Sequence, residues 1–382
     1  MKRNWIARGM LLPAMCMLMI PAVAQYRPTI TSIDAPGAGT TSGYGTEVIA
    51  INPAGVMAGF YVGSDNVVHA YVRTPNGWFT TFDGPGVPLS VPTDPFSPPG
   101  TWINTGAPGT YALSIDARGA VTGYYVDANN VAHGYLRAPD GKFTSFDVPN
   151  AGMGAGQGTF ASSMNLEGTI AGSYTDTSNV SHGFVRARDG AITEFDVPGA
   201  ANTWVEWADC ISLTGAVDGT YADSTGVSYG FVRHPNGVIT TFEFAATGLT
   251  AGQGTNTWGI NTVGTTVGAF VDASNMYHGL VRAADGKMTV FDAVDCAGCV
   301  PPAGNTVPEA IDGAGTVAGF YNDANGVHRG FLRSAQGKFT FFDVPGAGTQ
   351  FLQGTVPLFN TRDAAVGFWV DDNYVWHGFV RK

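Results

Sequence analysis

The chain has 382 residues, of which 53 are Gly and 22 are Pro; 44% are hydrophobic, 12% aromatic and 13% charged, and the formal net charge is −11. That hydrophobic content excludes a disordered chain, and the abundance of Gly and Pro, the two poorest helix formers, excludes a helix-rich one. The acidic balance disfavours nucleic acid and anionic membrane surfaces, whose binding rests on Lys and Arg neutralising phosphates.

The first segment, MKRNWIARGMLLPAMCMLMIPAVAQ, has a basic start (Lys2, Arg3, Arg8), an apolar stretch from Met10 to Ile20, and Ala22 and Ala24 at the positions a signal peptidase reads before Gln25. Residues 1–24 are therefore expected to be a secretory signal peptide. Met15 stands where a lipoprotein needs a small residue before Cys16. No later stretch approaches the roughly 18 apolar residues of a membrane span, so membrane insertion is not expected. Export to the periplasm or beyond is, with a mature charge of about −14 once the three basic groups are removed.

From residue 30 onward one unit recurs. An Arg closes an HGFVR-like segment at Arg73, Arg137, Arg186, Arg233, Arg282, Arg333 and Arg381. The first interval is lengthened by GPGVPLSVPTDPFSPPG (84–100); the others lie close to 49 residues. Ten residues after each of the first six Arg stands an acid: Asp83, Asp147, Asp196, Glu243, Asp292 and Asp343. The seventh Arg has no such successor, but ITSIDAPGAGT (30–40) matches FTFFDVPGAGT (339–349), so the missing segment lies at the other end of the chain.

Each unit reads as four short strands. The first ends in an IN or ID pair (Asn52, Asp116, Asn261, Asp312), the second is VAGFYxD-like, the third HGFVR-like and the fourth FTxFD-like, with turns such as Pro75-Asn76-Gly77 suited to hairpins. Seven such units, the last completed by an N-terminal strand, predict an all-β, seven-bladed β-propeller of four-stranded blades over 25–382.

The units INPAGVMAGFYVGSDNVVHAYVR and IDARGAVTGYYVDANNVAHGYLR resemble the HAF-type extracellular repeat. The resemblance implies export and a propeller-like fold, and it carries over no catalytic residue. FDVPGAG stands where that family's last strand usually reads more like DLG.

Repeated polar residues invite a chemical reading. His69, His133, His182, His278 and His377 recur at one position, replaced by Tyr229 and Arg329 in two units. Six residues earlier stand Asp127, Asp176, Asp223, Asp272, Asp323 and Asp371, with Gly63 in the first unit. Folded hairpins set each His between this Asp and the one ending the fourth strand, an arrangement that suits metal or acid–base chemistry. Repetition favours a strand clamp instead, because an active site is needed once and a clamp in every blade. The recurrent Arg are read as structural on the same ground. The DANN, DASN and DANG turns begin like calcium loops but lack the further acidic ligands, so no metal or other cofactor is expected and calcium is the one ion the pattern raises.

The units differ most in the connections between blades, where binding usually resides. Trp102, Trp204, Trp207 and Trp258 cluster in or beside them and are candidate ligand-binding residues, against the alternative of packing between blades. Glu206 and Asp209 are the only catalytic candidates. Cys296 and Cys299 (CAGC) are candidates for a loop disulfide, ahead of a metal or redox role, and Cys210 for a buried apolar position. The expected function is a monomeric, exported module that binds carbohydrate, envelope polymer or protein. A polysaccharide lyase or hydrolase on the same scaffold and a passive structural protein are the alternatives.

Overall fold

A computed structural model describes residues 28–90, 107–244, 250–294 and 305–382. The described residues form 28 β-strands and no helix, hence none long and apolar enough to cross a membrane. The strands pair antiparallel in sets of four. Gly45–Ile51, Met57–Val62, Val68–Arg73 and Phe79–Phe82 make the first set. Gly354–Thr361, Ala364–Val370 and Trp376–Arg381 begin the seventh, whose fourth strand is the N-terminal Ile30–Ile33, in register with Arg381 through Gly378. The architecture is all-β and propeller-like.

In six of the seven units, the first strand carries a register shift that leaves one residue bulged: Ile49, Leu113, Ser162, Trp258, Glu309 and Leu358. Such a bulge re-aims the residue it leaves unpaired. The fourth unit is built differently. Gly45 and Asn52 lie seven positions apart, as do Gly109 and Asp116, Gly158 and Asn165, and Gly254 and Asn261, but ten separate Asn202 from the equivalent Ser212. Those three extra residues cut its first strand to Asn202–Trp204.

Units are joined by a repeated set of contacts. The amide opening each third strand bonds to the start of the next unit: Val68 to the Pro108 carbonyl, Ala132 to Gln157, Ser228 to Gln253, His328 to Gln353, and Trp376 to Tyr44 of the first unit. The residue after each of these carbonyls is a Gly with φ between 112° and 147°, and a Cβ there would overlap backbone of the neighbouring strand. At the two remaining junctions Asn replaces Gly, and its side-chain oxygen takes over as acceptor: Ser181 to Asn202 Oδ1 at 3.0 Å and Tyr277 to Asn305 Oδ1 at 3.1 Å.

The residue after each Gly or Asn is a buried Thr. Its hydroxyl accepts the amide that follows the fourth strand of the preceding unit: Ala35 to Thr46, Gly84 to Thr110, Val148 to Thr159, Val197 to Thr203, Phe244 to Thr255, Ala293 to Thr306 and Val344 to Thr355. Six of the repeated Arg lie over the fourth-strand Phe of the preceding unit, for example Arg137 on Phe82 at 4.7 Å and Arg282 on Phe242 at 4.5 Å. Arg73 cannot, because the corresponding residue is Ile33; it rests on Phe79 of its own unit at 5.6 Å.

Candidate functional site

The repeated His stand between two carboxylates. His133 Nδ1 lies 3.0 Å from Asp147 and its Nε2 3.9 Å from Asp127; His182 pairs likewise with Asp196 and Asp176, His278 with Asp292 and Asp272, and His377 with Asp34 and Asp371. In the first unit, where Gly63 replaces the Asp, Asp65 reaches His69 from two residues further on, at 3.2 Å. Arg329 bridges Asp323 and Asp343, and the Tyr229 hydroxyl donates to Asp223. Each His ring also stacks on an aromatic of the second strand, as Trp369 does on His377 at 4.2 Å. Burial alone would lower His69 and His377, but their carboxylate partners outweigh it and raise both above the usual imidazole value. The turn carboxylates are occupied by backbone: Asp127 Oδ1 accepts the amides of Asn129 and Val131, and Asp272 Oδ1 those of Ser274 and Met276. Among the described residues, no group of three or more His, Cys, Asp or Glu is arranged to hold a metal ion.

The irregular fourth unit builds something the others lack. The segment 205–209 leaves the antiparallel pattern and bonds to three other units. The Val205 carbonyl accepts from Ser162 and the Ala208 carbonyl from Ser163 of the third unit. The Asp209 carbonyl accepts the Ile260 amide of the fifth, and Asp209 Oδ2 accepts the Ile311 amide of the sixth at 3.3 Å. Ala208 packs on an apolar cluster that contains Ile49, Tyr111, Val356 and Trp376.

Beside this segment lies a half-open pocket of about 100 Å³, between the fourth and fifth units. The fourth unit supplies Trp204, Glu206, Trp207, Thr220 and Ser228; the fifth supplies Asn256, Thr257 and the bulged Trp258. Three of the four Trp singled out in the sequence thus meet at one place, with Glu206 among them. The two walls are tied by the Thr257 amide, which donates to Thr220 Oγ1 at 3.1 Å. Water reaches the Glu206 side chain, while the surrounding protein desolvates it and pushes the carboxyl up to about 7.

Asp209 does not line this pocket. Burial pushes it up to about 8, against the bond from Ile311 and with help from the charge of Asp312. Cys210 is a free, fully buried thiol, raised well above its ordinary value by burial. Trp102, Cys296 and Cys299 lie outside the described residues. Sequence reasoning missed the pocket's Thr220, Ser228, Asn256 and Thr257, and the three-residue insertion beside it. Aligning the units on the Gly-Thr or Asn-Thr pair that opens each first strand reveals that insertion.

The fold defines an all-β, propeller-like protein. The chain matches no family model and no curated protein. Among solved structures it is similar to a puromycin hydrolase variant complexed with PGG, at 11% identity and a TM-score of 0.51 over 89% of this chain and 50% of that one. It is also similar to the BP39L lectin from Burkholderia pseudomallei, at 11% identity and a TM-score of 0.50 over 87% of this chain and 94% of that one. The chain thus spans about half the length of the first and nearly all of the second.

Proposed function

We propose that the chain is an exported, seven-bladed β-propeller, closed by its N-terminal strand, that binds a carbohydrate at the pocket between the fourth and fifth units. The observation that carries this reading is the insertion. One unit in seven departs from the repeat, and the departing segment sets Glu206 and Trp207 beside Trp204 and beside Trp258 and Asn256 of the next unit, in a single recess. Indole faces stack on the apolar faces of sugar rings while short polar side chains bond their hydroxyls. A volume of about 100 Å³ suits one ring, or part of one, of a longer polymer. The similarity to a lectin and the resemblance to HAF-type extracellular repeats agree with an exported binding module.

An enzyme is the second reading, supported by Glu206, whose raised carboxyl suits a general acid, and by the similarity to a hydrolase. Sugar hydrolysis by the common routes needs a second carboxylate facing the first. The pocket's lining contains one, and Asp209 is engaged with Ile311 elsewhere. Binding is therefore the better-supported function.

A panel of soluble polysaccharides, followed by Trp fluorescence and assayed in the same wells for shortened or unsaturated products, tests both readings. Saturable quenching without product, lost in Trp258→Ala, is expected. Product in any well would replace the binding module with the enzyme, and no response across the panel would leave the carbohydrate reading without a ligand.

A further inference from the structure

The carbohydrate reading leaves open what kind of sugar the pocket selects, and its charge distribution addresses that. Of the residues lining it, Glu206 alone is charged. Many surface carboxylates of the repeats have partners, as Asp83 and Asp65 with His69, Asp147 with His133, and Asp323 and Asp343 with Arg329. Glu194 is engaged as well, accepting from Asn150 and Tyr174. Glu206 makes no hydrogen bond or ion pair with any described residue, although it lines one recess together with three indoles. A carboxylate that is solvent-accessible, unpaired and beside aromatic faces is free to meet a cationic ligand.

An ammonium group supplies what the recess lacks. It is drawn to the electron-rich faces of indoles and to a carboxylate at once, which is how aromatic cages hold organic cations. The net charge of −11 attracts cations toward the protein from a distance.

We infer that the pocket formed by Trp204, Trp207, Trp258 and Glu206 selects ligands carrying an ammonium group, so that within the carbohydrate class its ligand is an amino sugar with a free amine. The inference rests on the pocket being the binding site. The amine enters protonated, sits over the indoles and pairs with Glu206, while Asn256 and Ser228 are placed to bond ring hydroxyls.

The test is a set of fluorescence or calorimetric titrations of the purified protein with chitotriose bearing free amines, its fully N-acetylated form, maltotriose and choline. Free-amine chitotriose is expected to bind at least about 10-fold more tightly than the two neutral sugars, with the difference shrinking as salt is raised. Choline separates a requirement for ammonium alone from one for an amino sugar: saturable binding confirms the cation site, and weaker binding than chitotriose assigns the remainder to the sugar. Glu206→Gln should erase the preference for the amine while leaving the thermal transition intact, and Trp258→Phe should retain part of the affinity. Equal binding of neutral and amine-bearing sugars, or an unchanged preference in Glu206→Gln, would overturn the inference and leave the binding module standing. Loss of response to all four ligands would overturn both.

Discussion

Burial at single residues sets the pH response of the molecule. Glu47 and Glu309 lie on first strands, almost fully buried, and burial pushes both carboxyls up to about 8. Between the ordinary glutamate value near 4.5 and about 8, the folded protein keeps these protons and the unfolded chain does not. Stability therefore falls as pH rises through that window, by an amount on the order of a few kcal/mol for each group. His69 and His377, raised above the usual imidazole value, act in the same direction: their stabilisation is complete below about 6.5 and is lost as pH rises through the higher folded values. The lowered carboxyls of Asp127 and Asp323 act on the other side, losing their contribution as pH falls from the ordinary aspartate value through their lower folded values. The expected result is a melting temperature that is highest in mildly acidic buffer and declines toward pH 9. In Glu47→Gln and Glu309→Gln the decline should be shallower, with little change at pH 5. A melting temperature that climbs steadily from pH 5 to 9 would contradict this assignment.

Between strands, the junctions distinguish what repetition made legible from what it concealed. The Arg and Asp periods locate the third and fourth strands because those positions recur with nearly constant chemistry, and the structure sets them at Val68–Arg73, Phe79–Phe82 and their equivalents. The partnering of His133, His182, His278 and His377 by two carboxylates was likewise readable from spacing, whereas the Asp65 that serves His69 in place of Gly63 was not. The first strand was harder, since its bulged position is Ile49 in one unit, Ser162 in another and Trp258 in a third. ANTWVEWADC, which reads as a variable connection, in fact begins with a strand and continues as the insertion. The Trp cluster was legible as composition, but its gathering into one recess depended on a backbone path that no local pattern marks. Two kinds of junction also differ in what they tolerate. Gly254→Ala places a Cβ against the Ser228 backbone at a φ of 118° and should cost more than about 2 kcal/mol. Asn305→Ala removes only a side-chain acceptor from the Tyr277 amide and should cost about 1 kcal/mol. Denaturant unfolding of the two variants checks the order, and equal costs would show that the two junctions are not alternative solutions to one contact.

Across the whole molecule, a repeated scaffold carries one recess that is not repeated. The scaffold depends on the N-terminal strand: Ile30–Ile33 pairs with the last strand, Thr46 accepts the Ala35 amide, and Asp34 clamps His377 at 2.7 Å. Removing residues 26–40 should broaden the thermal transition and lower its midpoint, because the first and seventh units lose these contacts together; an unchanged sharp transition would contradict a closed ring. The proposed site takes Glu206 and Trp207 from the insertion in the fourth unit, and its singularity sets it apart from the His and Asp clamps that recur from unit to unit. Hydrogen exchange, measured with and without the saccharide that quenches Trp fluorescence, tests that distinction most directly. Protection is expected to concentrate in peptides covering 202–210 and 254–260, whereas equal protection of the Asp-rich turns in every unit would place binding at repeated sites and contradict a single binding recess.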